Sequence, residues 1–280
     1  MANHYLNEKY NFEDPSLVSY LDEFCLWSAP FGLKLLECVN MKPDLHVLDI
    51  GFGNGFPLIE LAQRLGNSSS VFGIDLWDAA ITRTNDKIKY FNLSNIQVKH
   101  AAAEEIPFPD RYFDLVVSNN GLNNVDDLDK SLAECYRVCK PDAQMVITMN
   151  LPDTFIEFYN VFRQTLTDMR MGKYLKNIDD HIFHKRKPVD YLETILFNHG
   201  FSISRKHIDS FRYNFTDGTA LLNYAFFKIC FLDGWKACLD ENLLSSVFPK
   251  LEENLNNYAF KHNGIELTVP FVCFDLRRNN

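Results

Sequence analysis

Several features that would assign the chain to other protein classes are missing from its sequence. The net charge is −9, so the clustered positive charge that non-specific DNA or RNA binding requires is lacking, and no nucleic-acid partner is expected. The one basic run, Lys185-Arg186-Lys187, is short and is interpreted as solvated surface. The most apolar stretch, residues 220–232, is too short to span a bilayer and contains Asn223 and Lys228, so no transmembrane segment is expected.

The cysteines and the N-terminus also lack the signals of a secreted protein. The seven cysteines are odd in number and lack the paired spacing of a secreted disulfide framework. Cys135 and Cys139 have a spacing that metal ligands use, but we interpret them as residues of a helix packed against the sheet. No basic segment followed by an apolar core begins the sequence, so no secretion signal is expected. These features favour a reduced, cytoplasmic setting.

From residue 45 onward, short apolar runs alternate with segments of helical periodicity. The first run ends in glycines, as a buried parallel strand should. Alternation at this spacing predicts a parallel sheet with helices on both faces. Strands are predicted at 45–50, 70–74, 96–100, 113–118, 144–149, 201–207 and 265–276. Helices are predicted at 54–65, 79–91, 126–138 and 188–199.

Aromatic segments with helical spacing lie on either side of this alternating region. Near the N-terminus, helices are predicted at 17–27 and 31–39, separated by Ser28-Ala29-Pro30. The predicted domains are an N-terminal helical lid segment, 1–41, and an α/β domain, 42–280, with helical insertions at 151–187 and 217–262.

The strongest local signal is a glycine turn between the first strand and the first helix, Asp49-Ile50-Gly51-Phe52-Gly53-Asn54-Gly55. Such a turn lets backbone approach a ligand, and ligands of open α/β sheets bind beyond the carboxyl ends of the strands. Phe56 stands where a dinucleotide fingerprint requires Gly or Ala, and no Walker-type phosphate loop is present. The second strand ends at Asp75, whose carboxylate can accept bonds from both hydroxyls of a ribose. Asp78 is the better candidate for capping the next helix.

This series of motifs resembles class I S-adenosylmethionine-dependent methyltransferases, in particular the ubiquinone/menaquinone-biosynthesis-like branch (methyltransferase type 11). The resemblance covers roughly residues 45–150. It implies a Rossmann-like, seven-stranded, mostly parallel sheet with an antiparallel last strand, S-adenosyl-L-methionine as cofactor and S-adenosyl-L-homocysteine as product. The motifs are Val47–Gly55, Phe72–Leu76, Ala103–Asp110, Tyr112–Ser118 and Arg137–Pro141.

The resemblance also assigns individual residues to parts of the cofactor. At one adenine position, where relatives often carry an Asp, this chain has Ala102. The implied cofactor residues are Asp49, Gly51, Gly53 and Gly55 for the methionine part, Asp75 for the ribose, Leu76, Ala103 and Glu104 for adenine, and Ser118 and Asn119 near the methionine amine.

The acceptor of the methyl group is predicted to be a small molecule, apolar or aromatic. Because positioning supplies much of the rate of an in-line displacement, a catalytic base is optional, and His181 and His184 are the candidates for one. Asn120 and Asn123, in the segment after the fourth strand, are predicted to contact the acceptor. The aromatic side chains of Trp27 and Phe31 are predicted to cover it.

Two alternative functions remain open from the residues. A cofactor-binding protein that kept this fold and lost turnover would share every motif above. A nucleotide-dependent oxidoreductase would share the glycine turn and Asp75, although Phe56 and the later motifs disfavour it. No metal is expected, because His181 and His184 have no third ligand at a compelling spacing. The oligomeric state is not predicted.

Overall fold

Strands and helices follow one another in the predicted alternation. The computed structural model describes residues 4–22 and 26–279, so the predicted helical residues 23–25 lie outside the described part. The strands are β1 (His46–Ile50), β2 (Ser70–Asp75), β3 (Ile96–His100), β4 (Phe113–Asn119), β5 (Cys139–Asn150), β6 (Phe201–Phe215) and β7 (Ile265–Arg278). The helices are α1 (Pro15–Leu21), α2 (Ser28–Cys38), α3 (Leu58–Leu65), α4 (Asp78–Tyr90), α5 (Leu128–Val138), α6 (Ile156–Asp168), α7 (Leu175–Lys185), α8 (Val189–Asn198), α9 (Gly218–Asn223), α10 (Ala225–Cys230), α11 (Leu232–Lys236) and α12 (Leu244–His262).

The strands form one seven-stranded sheet in the order β3-β2-β1-β4-β5-β7-β6. β1 pairs in parallel with β2 and β4, β2 with β3, and β4 with β5, whereas β7 runs antiparallel to β5. The strand order reverses at β1, so the carboxyl ends of β1 and β4 diverge into a crevice where ligands of such sheets bind. The predicted Rossmann-like architecture is confirmed.

The chain divides into two compact units, one containing residues 11–150, 188–209 and 271–280. Within this sheet unit, α3 presents Leu58, Leu61, Ala62 and Leu65 to the core, all of them buried. Their spacing of three and four residues places them on one face of a helix. Packing this face on β1 and β2 fixes the start of α3, and with it the glycine turn, at the edge of the sheet.

Helix α1 is packed on α4 beside the glycine turn. Val18 is buried against two alanines at the start of α4. The Asp22 carboxylate accepts bonds from Arg83 at 2.8 Å and Lys87 at 2.6 Å. The Asn54 amide of the glycine turn donates to the carbonyl of Val18 at 3.3 Å. The residues of α1 are therefore held against the glycine turn, although a lid function for the segment stays a prediction.

The second unit contains residues 1–10, 151–187 and 210–270 and is mainly helical. Its N-terminal residues are attached by a bond from the Tyr5 hydroxyl to Glu252, 2.9 Å, and by the Lys228–Glu8 ion pair, 2.7 Å. No helix within the described residues is long and apolar enough to cross a membrane. The core of this unit is built from fully buried aromatic side chains, namely Phe155, Phe158, Tyr159, Phe162, Phe227, Trp235 and Phe248.

Two predictions about the starts of helices are wrong. Ser28-Ala29-Pro30 does not separate two helices but begins α2, because a proline in the first turn needs no N–H partner. Asp78 does not cap α4 through its side chain, which instead bonds the ring of His100, and Asp75 accepts the N–H of Trp77 at the helix start.

The interpretation of the basic run as solvated surface is also wrong at its centre. Lys185 is exposed, but Arg186 is only 3% exposed. A buried guanidinium normally has an ion-pair partner, so this residue demands a separate explanation.

Candidate active site

A cavity of about 730 Å³ lies at the carboxyl ends of β1 and β2, within the sheet unit. Its volume is in the range of about 300–1,000 Å³ that small-molecule sites occupy. Its walls come from the glycine turn, from the loop after β3 and from the segment between β4 and α5. The predicted cofactor residues on its wall are Gly51, Gly53, Asp75, Leu76, Ala103 and Glu104.

The floor of the cavity is formed by two glycines that approach each other closely. A Cβ atom on Gly51 would lie 2.9 Å from the Cα of Gly121, and Gly51 also has a positive φ of 75°. A Cβ on Gly121 would lie 2.5 Å from the carbonyl oxygen of Ile50. Gly121 is not among the residues predicted from the sequence; the signal that could have indicated it is a lone glycine just after the predicted strand 113–118.

Gly53 and Asp75 are joined by a hydrogen bond across the cavity wall. The N–H of Gly53 donates to Oδ2 of Asp75 at 2.7 Å, and the N–H of Trp77 donates to Oδ1 at 2.9 Å. Each carboxylate oxygen can accept a further bond, and Asp75 lines the cavity. Gly53 has a φ of 52° and open space where a Cβ would stand, so its backbone is exposed to a ligand.

Asp49 is fully buried and is not on the cavity wall. Neither carboxylate oxygen has a hydrogen-bond partner among the described residues; the N–H of Leu58 is near but does not reach hydrogen-bond geometry. Burial, and then the negative charge of Asp75, hold the pKa of Asp49 well above its usual range. The group is therefore a buried acid one residue away from the cavity-lining Ile50, without a cation to compensate it.

The other predicted cofactor residues that do not line the cavity have structural contacts. The buried hydroxyl of Ser118 donates to the carbonyl of Ile50 at 2.9 Å and accepts from Leu122. The Asn119 amide donates to the carbonyl of Ser28 at 3.1 Å. Gly55 is buried, and a Cβ there would lie 2.8 Å from Ile59. These residues support the cavity walls from behind.

Glu104 holds the segment between β4 and α5 against the cavity. Its Oε1 accepts the backbone N–H groups of Asp126 at 2.9 Å and Asp127 at 3.1 Å. Ala102 also lines the cavity, so no carboxylate from that position reaches it. Glu104 therefore acts on the predicted adenine wall indirectly, by holding the backbone of Asp126 and Asp127 in place.

Asn120 and Asn123 form an amide cluster with Asn150. The Asn123 Nδ2 group donates to the side-chain oxygens of both partners, and Asn120 also accepts the N–H of Asn150 at 3.1 Å. Asn120 has a φ of 62°, a conformation that Asn tolerates better than most residues. The Oδ1 atom of Asn123 is buried without a hydrogen-bond partner among the residues described. The structure thus brings the two predicted substrate residues together.

Trp27 and Phe31 lie at the start of α2 with their rings 5.4 Å apart. Phe31 is fully buried and packs edge-to-face on Phe271 at 4.9 Å. Trp27 is partly buried. Phe31 therefore belongs to the core of the sheet unit, and contact with an acceptor stays a prediction for both residues.

His181 and His184 lie in α7, and only His181 is withdrawn from solvent. Its burial, and then the positive charges of Arg186 and Lys185, lower the pKa of His181 to about 4. The ring is therefore neutral at physiological pH and can accept a proton but not donate one. His184 is exposed.

We expect His181 to remain neutral in an NMR titration of the ring C–H signals until the pH falls near 4. The unfolded chain binds this proton near pH 6.5, so stability from His181 falls as the pH drops from about 6.5 to 4. In His181→Gln this part of the pH dependence of Tm should disappear. A midpoint near 6.5 for His181 would contradict the expectation.

Comparison with known proteins agrees with the geometry. Residues 48–147 match the family model described as methyltransferase domain. The chain is 30% identical over 51% of its length to ubiquinone/menaquinone biosynthesis C-methyltransferase UbiE of Psychromonas ingrahamii, covering 58% of that protein. It is 34% identical over 45% of its length to demethylmenaquinone methyltransferase of a Geobacillus species, covering 54% of it. The chain thus spans little more than half the length of these curated relatives.

A solved structure supports the same fold. An S-adenosylmethionine-dependent methyltransferase of Aquifex aeolicus superposes with a TM-score of 0.51 at 22% identity, over 71% of this chain and 92% of that one. Residues 48–147 are therefore similar to the methyltransferase domain of known proteins, and the fold is that of a solved S-adenosylmethionine-dependent methyltransferase.

Proposed function

We propose that the chain transfers a methyl group from S-adenosylmethionine to a small-molecule acceptor that is apolar or aromatic. The observation that carries the proposal is the 730 Å³ cavity where the glycine turn and the Asp75 carboxylate meet at the carboxyl ends of β1 and β2. Bound there, the cofactor supplies a methyl group already activated by a positively charged sulfur.

The residues of the cavity suit this cofactor. Asp75 has acceptor capacity for two ribose hydroxyls, and the open backbone at Gly53 can approach the methionine part. Leu76 is an apolar side chain, 59% exposed, on the cavity wall and offers a surface for adenine. The buried, unpartnered carboxyl of Asp49 suits a ligand that carries positive charge.

The acceptor class is supported by two observations. The relatives named above methylate quinone precursors according to their names, which points to an apolar ring compound. The buried Oδ1 of Asn123 is an acceptor without a donor, so a hydroxyl on the substrate would satisfy it.

A cofactor-binding protein without turnover is the alternative, and Ala102 favours it slightly. An intact binding site, with no labelled product from a panel of quinones, phenols and organic acids, would support this alternative. An oxidoreductase is less well supported, because Phe56 occupies the position of the third fingerprint residue. Binding of NAD with micromolar affinity would revive it.

The proposed cofactor site is tested by Asp75→Ala in calorimetric titrations with S-adenosylmethionine and S-adenosylhomocysteine. Hydrogen bonds to a charged group contribute about 1.5–3 kcal/mol, so affinity should fall about 10- to 100-fold. Asp78→Ala is the matched control, since this exposed carboxylate bonds His100 and does not line the cavity. Equal binding by wild type and Asp75→Ala, or no binding by a folded wild type, would reject the site.

A further inference from the structure

Arg186 is the most deeply buried cation without an ion-pair partner among the described residues. It follows α7 in the helical unit, and its guanidinium stands 5.9 Å from the ring centre of Phe155 and 5.7 Å from that of Tyr159. These distances are at the outer limit of a cation–π contact, so the rings compensate the charge only weakly. A buried charge with so little compensation is costly to the fold.

The hydrogen bonds of Arg186 use only one of its three nitrogens. Nη1 donates to the hydroxyl of Tyr159 at 3.3 Å and to the carbonyl of Thr154 at 3.5 Å, both long bonds. Nε is buried without an acceptor, and Nη2 donates to no described group either. Nε and Nη2 form one edge of the guanidinium, with parallel N–H bonds that match the two oxygens of a carboxylate or phosphate.

Two other arginines of this chain show what this edge does when it has a partner. Arg137 donates from Nε and Nη2 to the two carboxylate oxygens of Glu134, both at 2.7 Å. Arg205 donates from the same two nitrogens to Asp275 at 3.0 and 2.8 Å. Both arginines are more exposed than Arg186, so water satisfies part of their charge even without the carboxylate.

Close to Arg186 lie a further hydrogen-bond donor and buried aromatic side chains. Tyr159 accepts bonds from Arg186 and from the indole N–H of Trp235 at 3.3 Å, so its own hydroxyl proton remains for another acceptor. Phe155 and Trp235 are buried beside these donors, with rings 6.4 Å apart. The free donors therefore stand next to aromatic surface.

We infer that Arg186 binds the carboxylate or phosphate of a small organic acid. The anion accepts hydrogen bonds from Nε and Nη2 of Arg186 and from the hydroxyl of Tyr159. The ligand class that these donors match is an acid with an apolar body, and its binding within the helical unit does not depend on the proposed function. The negative charge of the ligand replaces the missing partner of the guanidinium.

The test compares probes that differ only in charge, in calorimetric titrations of the full chain without methyl donor. Phenylacetate should bind at least tenfold more tightly than phenylacetamide, and inorganic phosphate serves as the second oxyanion. Preference for phenylacetate identifies a carboxylate site, and binding of phosphate alone identifies a phosphate site. Equal binding of acid and amide, with no binding of phosphate, overturns the inference.

Variants separate a binding arginine from a structural one. Arg186→Met should abolish the preference for the anion and leave Tm equal or higher, because an uncompensated buried charge is removed. Arg186→Lys keeps the positive charge but lacks the two parallel N–H donors of the guanidinium, so it should weaken anion binding at least fivefold. Lys185→Gln, which removes an exposed cation one residue away, should change neither. A large loss of Tm in Arg186→Met, with anion binding intact in Arg186→Lys, means that the arginine is structural.

An independent signature comes from His181, whose pKa Arg186 helps to lower. A bound anion should raise the pKa of His181 in the NMR titration, and no such rise should occur in Arg186→Met. S-adenosylmethionine titrations of Arg186→Met are run in parallel. Unchanged affinity of Arg186→Met for S-adenosylmethionine, together with lost anion binding, supports the inference. If the wild type does not bind S-adenosylmethionine but binds the anion, the proposed function alone is rejected.

Discussion

Gly121→Ala should reduce methyl-donor affinity at least about tenfold, and methyl transfer about 100-fold, since displacements of about 1 Å have effects of that size. The added Cβ would lie 2.5 Å from the Ile50 carbonyl, 2.9 Å from the Ser118 hydroxyl and 3.1 Å from the Cα of Gly51. Two of these are backbone atoms of the glycine turn, so the ends of β1 and β4 must separate. Overpacking of this kind also costs about 1–3 kcal/mol of unfolding free energy.

The control for this variant is Gly172→Ala. Nothing lies within 4 Å of a Cβ at Gly172, and its φ is not positive. Its unfolding free energy should change by less than about 1 kcal/mol, and cofactor affinity should be unchanged. Affinities come from calorimetry and unfolding free energies from urea titrations. Gly121→Ala binding as tightly as wild type would mean that the two facing glycines do not shape the cofactor cavity.

The central parallel strands β1, β2 and β4 could be predicted because each is a short apolar run that is mostly buried. β1, for example, is predicted at 45–50 and found at His46–Ile50. β6 was predicted to end at 207 but continues to Phe215. Most of its residues are exposed at the edge of the sheet, so burial imposes no apolar pattern that would mark the strand. Pattern reasoning works where burial selects residue type and fails where it does not.

The candidate site was predictable in so far as its residues follow strands in sequence. Gly53 and Asp75 follow β1 and β2, and parallel strands bring their carboxyl ends together. Gly121 and Arg186 escaped prediction for a different reason. The need for glycine at 121 comes from Gly51, seventy residues away, and the burial of Arg186 comes from aromatic side chains on other helices. The contacts themselves are not visible in the local sequence, and the lone glycine after the predicted fourth strand is the one signal that the sequence offers for Gly121.

Asp49→Asn should change stability and cofactor affinity in opposite directions. Folding raises the pKa of Asp49, chiefly by burial and then through the charge of Asp75. The folded chain therefore holds this proton more tightly than the unfolded chain, and stability falls as the pH rises from about 4 through the raised pKa. Asn has no such ionisation. The variant should therefore exceed the wild-type Tm by a few degrees at pH 8, where 1 kcal/mol corresponds to about 2–4 °C, and the difference should shrink toward pH 4.

Affinity for S-adenosylmethionine should fall in the same variant, because the ligand is cationic at its sulfonium and amine. Losing one partner of a buried charge pair costs about 2–5 kcal/mol, which is about 30-fold or more in affinity. Asp114→Asn is the matched control: Asp114 lies near the amino end of β4, where it bonds Lys140 at 2.7 Å, so its loss should lower Tm and spare binding. Calorimetry in buffers of different ionisation enthalpy should further detect proton release on binding by the wild type and none by Asp49→Asn. An Asp49→Asn variant that binds normally and releases the same protons would reduce Asp49 to a buried acid without a role in binding.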